Sequence, residues 1–392
     1  IFLISFFMSS AKIVIQFPYF CKMRYLSANY IFPLHINPIK EGVIQITEKG
    51  EIVNVFDSRT KVPKGKIETF DGVLCPGFVN AHCHLELSHL KGLIPQKTGL
   101  PDFISQVSRL RDVELADIQK SIKEADMIMQ KNGIVAVGDI SNTNHSFFVK
   151  EESEIVYHTF VELFSINKDN EEIVFNKGMD LLKNCPKPNS IVPHATYSVS
   201  SKLFSLLMEK NTGEIVCIHN QETKSEDELF RNESGELYDF LKKFGWQNQG
   251  GISSLQTSLL QMSKKSKLIL VHNTFTSKKD VEWTKENNYS IYWCTCPKAN
   301  LYIENSLPDY TIFDQDKLCI GTDSLASNSS LSIIEELKIL QENTDFDFNT
   351  LLKIACKNGA ESLGLKELGT FENGKKPGVN LINNFSEVKR IL

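Results

Sequence analysis

The chain has 392 residues, a net charge of -5 and 41% hydrophobic residues, values typical of a soluble globular protein with a large core. The mild acidity, without a basic stripe, argues against nucleic-acid binding and favours a small substrate over a polyanion. The nine cysteines lack the spacing of a disulfide framework or a zinc ribbon, so we expect reduced thiols and a cytoplasmic location.

The first 22 residues differ from the rest of the chain. They begin with an apolar run, Ile1 to Phe7, that is too short to span a bilayer. The run lacks the basic leader and the cleavage site of a signal peptide. Because a regular domain pattern starts near Met23, we interpret residues 1–22 as an upstream extension, and we expect no association with a membrane.

Both ends of the remaining chain show strand patterns. Residues 42–47 and 51–56 are short β-like runs separated by a Lys-Gly turn signal, and residues 378–383 are β-like again. We therefore predict a small β-sandwich domain built from residues 23–72 together with residues 370–392.

Strand-like runs alternate with amphipathic helical stretches through residues 73–369. The predicted strands are residues 73–81, 134–140, 155–164, 190–195, 214–219, 267–272, 290–294 and 317–321. In one helical stretch Ile118, Ile122, Ala125 and Met129 share a face, and Gly133 marks its end. Eight repeated βα units predict an α/β fold, a (β/α)8 barrel whose catalytic residues lie at the C-terminal ends of the strands.

Five of the nine histidines fall at these predicted strand ends. His82 and His84 are two residues apart, so in a strand both imidazoles face the same place. His194 belongs to the fourth strand, and His219 and His272 end the fifth and sixth. Neutral imidazole is the commonest protein ligand for zinc. Each histidine alone is as readily a core residue as a ligand, but the group predicts a metal site.

Asp323 follows the eighth predicted strand and supplies a charged fourth ligand beside His82, His84 and His219. This set leaves room for the water molecule that a catalytic metal requires. Three imidazoles and one carboxylate suit Zn²⁺, with Fe²⁺ and Mn²⁺ as alternatives.

The motifs at the strand ends resemble those of the amidohydrolase superfamily, in its deaminase and chlorohydrolase branch. In the family's order, the chain reads PGFVNAHCH at 76–84, PHATYS at 193–198, HNQE at 219–222, VHN at 271–273, TCPKAN at 295–300 and GTDSLASN at 321–328. Closer matches, HLELS at 84–88, GDISN at 138–142, VELF at 161–164 and TCP at 295–297, resemble aminofutalosine deaminases. The adenosylhomocysteine deaminases are similar overall.

The resemblance implies roles for individual residues. Glu222 shuttles protons, His272 orients the attacking hydroxide, and Asp323 binds the metal and takes a proton from water. His194 is expected to contact the substrate, and Glu86 is a further candidate contact. Binuclear relatives use a lysine on the fourth strand, which is absent here, so the resemblance implies one divalent metal ion. A homodimer is a family-level expectation.

The predicted function is hydrolytic deamination of an amino-substituted heterocycle, with an adenine nucleoside such as 6-amino-6-deoxyfutalosine as a candidate. Two alternatives stay open: hydrolysis of another cyclic C–N or C–Cl bond at the same metal, and a non-catalytic barrel scaffold.

Three other polar residues near the motifs receive no catalytic role. Adenosylhomocysteine deaminases carry a ribose-binding carboxylate after the first strand, where this chain has Arg109 and Arg111. We interpret these arginines as surface residues, with binding of a substrate carboxylate as the alternative. Asn300 is interpreted as a structural loop cap.

Overall fold

The computed structural model describes residues 23–63, 65–166, 169–211, 213–247 and 251–392, so the predicted extension lies outside the described residues. The strands in these ranges are β1 (Met23–Ser27), β2 (Tyr30–Ile31), β3 (Ile39–Lys40), β4 (Val43–Thr47), β5 (Ile52–Phe56), β6 (Ile67–Thr69), β7 (Val73–Cys75), β8 (Phe78–Cys83), β9 (Ile134–Ser141), β10 (Val156–Leu163), β11 (Asn189–Pro193), β12 (Ile215–Asn220), β13 (Lys267–His272), β14 (Ser290–Thr295), β15 (Leu318–Ile320), β16 (Asn380–Asn383) and β17 (Glu387–Arg390). The α-helices are α1 (Leu100–Leu110), α2 (Leu115–Lys131), α3 (Phe147–Glu152), α4 (Glu171–Lys183), α5 (Ser201–Lys210), α6 (Lys224–Asn232), α7 (Glu236–Leu241), α8 (Ser254–Leu259), α9 (Lys278–Glu286), α10 (Pro297–Ile303), α11 (Ile333–Asn343), α12 (Phe348–Leu352) and α13 (Gly359–Ser362).

Strands β8 to β15 form two parallel sheets of four strands each. Their orders are β8-β9-β10-β11 and β12-β13-β14-β15. Single parallel bridges connect the two sheets on both sides, one between Ala195 and His219 and one between Cys83 and Asp323. Helices alternate with most of these strands along the chain. The predicted alternation of parallel strands with helices is thereby confirmed.

The predicted first strand, residues 73–81, is two strands in the structure. β7 pairs with β2 and β16, whereas β8 pairs with β9. Between them, Pro76 has no amide hydrogen for a strand ladder. A Cβ on Gly77 would lie 2.3 Å from the Val135 side chain and 2.8 Å from the carbonyl oxygen of Pro377. This close packing requires glycine at the point where the chain passes from one sheet into another.

The residues near both ends of the described chain meet in two further sheets. Their orders are β5-β4-β1-β6 and β17-β16-β7-β2-β3, so the second sheet combines strands from both ends. The two sheets contribute to one apolar core, formed by Leu26, Ala28, Ile31, Ile44, Ile46, Ile52, Leu74, Phe371, Val379 and Leu381.

The helix patterns read from the sequence place apolar faces against the parallel sheets. On α2, Ile118, Ile122, Ala125 and Met129 are all buried, and Gly133 follows the helix with a φ of 77°. No helix in the described ranges is long and apolar enough to cross a membrane.

A buried ion pair fixes the chain immediately after β8. Lys150 Nζ, on α3, lies 2.6 Å from Asp139 Oδ2, on β9, and both side chains are 0% exposed. Lys150 also donates to Ser141 Oγ at 2.8 Å. The other oxygen of Asp139 accepts the backbone N–H of Leu85 at 2.8 Å. Because Leu85 follows His84 directly, this pair fixes the backbone beside a predicted metal ligand.

The substitution Lys150→Met tests this pair. We expect it to lower the free energy of unfolding by roughly 3–5 kcal/mol, because it leaves the Asp139 carboxylate buried without its cation. Urea-induced unfolding, followed by tryptophan fluorescence, measures the difference. Lys61→Met breaks an exposed pair with Asp57 and serves as the control, with an expected loss below about 1 kcal/mol. Equal losses in the two variants would contradict the proposed contribution of Lys150.

Candidate metal centre

The four predicted ligands converge from three separate strands. His82 lies on β8, His84 follows β8, His219 lies on β12 and Asp323 follows β15. His84 Nε2 is 3.1 Å from His82 Nε2, 3.2 Å from His219 Nε2 and 3.3 Å from Asp323 Oδ1. His82 Nε2 is 3.5 Å from the same Asp323 oxygen. None of the four side chains is more than 11% exposed, so the structure places three nitrogens and one oxygen around one buried point.

Hydrogen bonds between β8 and the segment after β15 bring His82 and Asp323 together. The carbonyl oxygen of His82 accepts the backbone N–H groups of Thr322 at 3.0 Å and Asp323 at 3.1 Å. Asn80 donates its side-chain amide to Thr322 Oγ1 at 2.7 Å and accepts the Thr322 N–H at 3.0 Å. Asp323 adopts a φ of 54°, and this turn directs its carboxylate toward the histidines of β8.

The histidine rings fit a metal ion because their Nε2 atoms are available as ligands. His219 Nδ1 lies 2.8 Å from the carbonyl oxygen of His194, which only accepts, so Nδ1 carries the proton and Nε2 of the neutral ring is free. Burial lowers the pKa of His84 to about 3 and the pKa of His219 well below its ordinary value. Both rings are therefore neutral at pH 7, as metal binding requires.

Asp323 is the charged member of the group. Burial works to raise the pKa of its carboxyl group, but the hydrogen bond to His82 and the neighbouring imidazoles of His84 and His272 hold that pKa well below its usual range. Asp323 Oδ2 also accepts a hydrogen bond from Ser327 Oγ. The side chain is thus a carboxylate, which completes a donor set suited to a divalent cation.

His272 lies beside the four ligands and is oriented by Asn300. His272 Nδ1 is 2.8 Å from the side-chain oxygen of Asn300, so this nitrogen donates and Nε2 is unprotonated in the neutral ring. Burial lowers the pKa of His272 and favours the neutral form. The interpretation of Asn300 as a loop cap is wrong: Asn300 is a buried residue inside α10, whose N-cap is Cys296. The distance between Asn300 and the histidine in sequence, 28 residues, concealed the contact.

Glu222 is a buried carboxyl group at the edge of the cluster, in the turn between β12 and α6. Its Oε1 lies 3.6 Å from His272 Nε2. Burial, followed by the negative charges of Asp323 and Glu304, raises the pKa of Glu222 well above its ordinary value. This shift favours the protonated carboxyl group, the form that a general acid needs.

The two predicted substrate contacts lie near the metal centre with different surroundings. His194 is half-buried, and its Nδ1 is 2.7 Å from Ser198 Oγ. Glu86 is buried, and its carboxylate accepts the N–H groups of Asn142 and Thr143 and the Thr143 hydroxyl at 2.7–3.2 Å. Burial raises the pKa of Glu86 to about 7. Glu86 thus holds the loop after β9, and its contact with substrate stays a prediction.

The two arginines differ in how deeply they are buried. Arg109 is exposed on α1. Arg111 is half-buried, and its Nη2 lies 3.5 Å from Asn142 Oδ1.

Glu162 is a site residue that the predicted set omits. It lies on β10, and its Oε2 is 3.5 Å from His219 Nδ1. Burial raises the pKa of its carboxyl group to about 7. The sequence contained a signal for Glu162, because it is an acidic residue in an apolar run near the C-terminal end of a predicted barrel strand. Residues at such strand ends lie near the site of a barrel.

Comparisons with known proteins show the family to which the chain belongs. The sequence model of the amidohydrolase family matches residues 73–390. The chain is 25% identical over 362 residues to an aminodeoxyfutalosine deaminase of a Nitratiruptor species, covering 88% of each protein. It is 26% identical over 350 residues to an adenosine deaminase of Helicobacter pylori, covering 84% of this chain and 85% of the relative.

Solved structures share the fold. The Helicobacter pylori aminofutalosine deaminase in complex with methylthio-coformycin superposes with a TM-score of 0.78 at 22% identity, covering 92% of this chain and 93% of that one. An adenosine deaminase from Xanthomonas campestris with bound zinc has a TM-score of 0.72 at 20% identity, covering 91% of this chain and 84% of that one. The resemblance inferred from the motifs is confirmed.

Replacing one ligand tests the metal centre. We expect His84→Ala to lower zinc affinity by more than about 100-fold, because loss of an outer partner of a ligand alone costs roughly 10–100-fold. Competition with a chromophoric chelator measures the affinity. The control is His158→Gln, which alters a buried histidine bonded to Ser190 Oγ at 3.1 Å, outside the cluster. If both variants bind zinc equally well, His84 is not a ligand.

Proposed function

The chain belongs to the amidohydrolase family, and on that basis we propose that it is a metal-dependent hydrolytic deaminase acting on an adenine nucleoside. The observation that carries the proposal is the buried carboxyl group of Glu222, 3.6 Å from His272, beside a cluster of three histidines and Asp323. Such a pair of groups provides an acid next to a site for activated water. The relatives of the chain support the substrate class, since two of them are named as deaminases of aminodeoxyfutalosine and adenosine.

We propose one Zn²⁺ ion held by His82, His84, His219 and Asp323. Three neutral imidazoles with one carboxylate suit this ion, and the fold is shared with a zinc-bound deaminase. When bound, the ion lowers the pKa of a water molecule from about 15.7 toward about 7.

The residues around the ion divide the proton transfers between them. The Asp323 carboxylate accepts a proton from the attacking water, while His272, fixed by Asn300, orients that water through its unprotonated Nε2. Glu222 gives its proton to the ring nitrogen beside the amino-bearing carbon. This protonation makes the carbon more electrophilic, so the oxygen of the water attacks it. Asp323 then passes the proton it took from water to the amino group, and the hydroxyl proton of the intermediate goes to Glu222. The C=O bond forms, the C–N bond breaks and ammonia leaves. Acid–base steps of this kind contribute roughly 10²–10⁴-fold each.

We also propose that the two parallel sheets form a closed (β/α)8 barrel over residues 73–369. The bridges on both sides of the sheets support closure. The shared core of the two terminal sheets supports a β-sandwich from residues 23–72 and 370–392. The eight cysteines in the described ranges are free and buried, which supports a cytoplasmic location. The homodimer stays a prediction.

A substrate panel tests the proposed function. We expect the zinc-loaded protein to release ammonia from 6-amino-6-deoxyfutalosine or adenosine and to leave guanine and cytosine unchanged. A coupled glutamate dehydrogenase assay measures the ammonia. Turnover of a chlorinated or cyclic amide substrate in preference to the adenine nucleosides would replace deamination with the other hydrolytic function.

The substitution Glu222→Gln tests the proton donor. We expect kcat to fall by roughly 10²–10⁴-fold, because the amide cannot supply the proton. Metal content is expected to stay unchanged, since Glu222 is not among the four proposed ligands. Glu171→Gln is the matched control, because Glu171 is a buried glutamate that bonds Ser200 rather than any group of the cluster. Turnover in Glu222→Gln close to that of the control would refute the role of Glu222.

A further inference from the structure

Glu162 is a buried carboxyl group directly behind a metal ligand. Its side chain belongs to β10 and only 3% of the residue is exposed. Oε2 lies 3.5 Å from His219 Nδ1 and has no hydrogen-bond partner among the described residues. Burying a carboxyl oxygen without a partner costs free energy. The position of this oxygen therefore indicates a role in the site rather than in folding.

The loop after β9 holds Glu162 in place. Asn142 donates its side-chain amide to Glu162 Oε1 and to the Glu162 carbonyl oxygen, both at 3.1 Å. The backbone N–H of Asn142 donates to Glu86 Oε2, also at 3.1 Å. Asn142 thus connects the loop by hydrogen bonds to two buried carboxyl groups, and Oε1 of Glu162 already accepts one of these bonds. Its free oxygen, Oε2, is left facing His219.

A second metal ion is the competing explanation, because Glu162, His194 and His219 have ligand-type atoms within 4.8 Å of one another. His219 cannot serve two ions. Its Nδ1 proton is donated to the His194 carbonyl oxygen, and its Nε2 faces His84 in the first cluster. Without His219 only two protein donors remain, fewer than the three or four of ordinary zinc sites.

We propose that Glu162 is a positioning residue that strengthens metal binding through His219. The His194 carbonyl oxygen fixes the ring, and a negative charge on Glu162, 3.5 Å from Nδ1, polarises the imidazole and increases the basicity of the opposite nitrogen. As carboxylates, Glu162 and Asp323 together also balance the two charges of a divalent ion. The inference rests on the metal site of the proposed function and does not depend on the substrate.

The substitution Glu162→Gln tests this inference, because it keeps the shape of the side chain and removes its charge. We expect zinc affinity to fall roughly 10–100-fold, as measured by chelator competition. We also expect the visible absorption of the cobalt-substituted variant to shift, which a purely structural role of Glu162 would not cause. Glu171→Gln, the buried glutamate that bonds Ser200, is expected to keep both properties of the wild type.

Two outcomes separate this inference from the proposed function. Wild-type zinc affinity and cobalt spectrum in Glu162→Gln would overturn the role of Glu162, whatever the substrate panel shows. Loss of affinity in a protein that deaminates none of the nucleosides would support Glu162 and reject the deaminase. If Glu162→Gln does not fold, Glu162→Asp replaces it. The shorter side chain keeps the negative charge but moves it away from His219. Weaker zinc binding by this variant supports the inference, and unchanged binding overturns it.

Discussion

The carbonyl oxygen of His82 accepts two backbone N–H groups, those of Thr322 and Asp323, and the site depends on this contact. It joins the first and the last strand of the parallel set, and it places a ligand from each strand at the junction. The Asn80 side chain reinforces the same junction from inside the sheet. The hydrogen bonds between β8 and the segment after β15 thus bring His82 and Asp323 together.

The electrostatics of the site follow from burial. Burial favours the neutral forms of His84, His219 and Glu222, whereas the hydrogen bond to His82 favours the ionised form of Asp323 against the effect of burial. The neutral groups avoid the cost of burying a charge, whereas the Asp323 carboxylate costs free energy in the absence of a cation. The same states are the ones that metal binding and acid catalysis require. The surroundings of each reactive group thus favour the protonation state that its proposed role needs.

Much of the fold was readable from the sequence, because parallel strands and amphipathic helices have clear periodicities. The candidate ligands could be predicted because histidines fall at the ends of several parallel strands, although each alone could equally be a core residue. Other features depend on contacts across long stretches of chain, such as Asn300 with His272 and Glu162 with His219. The strand break at Pro76 was missed because the apolar run continues through it. Register and side-chain pairing of this kind are set by tertiary packing, which a local pattern does not contain.

The pairing of β7 with β16 has a consequence for the order in which the chain folds. β8, which carries His82, starts only two residues after β7, and β7 is completed by a strand that begins at Asn380. During synthesis from the N-terminus, β7 lacks one of its two neighbouring strands until Asn380–Asn383 has been made. Contacts between such distant residues close slowly. The sheet directly before His82 is therefore completed only after His82, His84, His219 and Asp323 have all been synthesised.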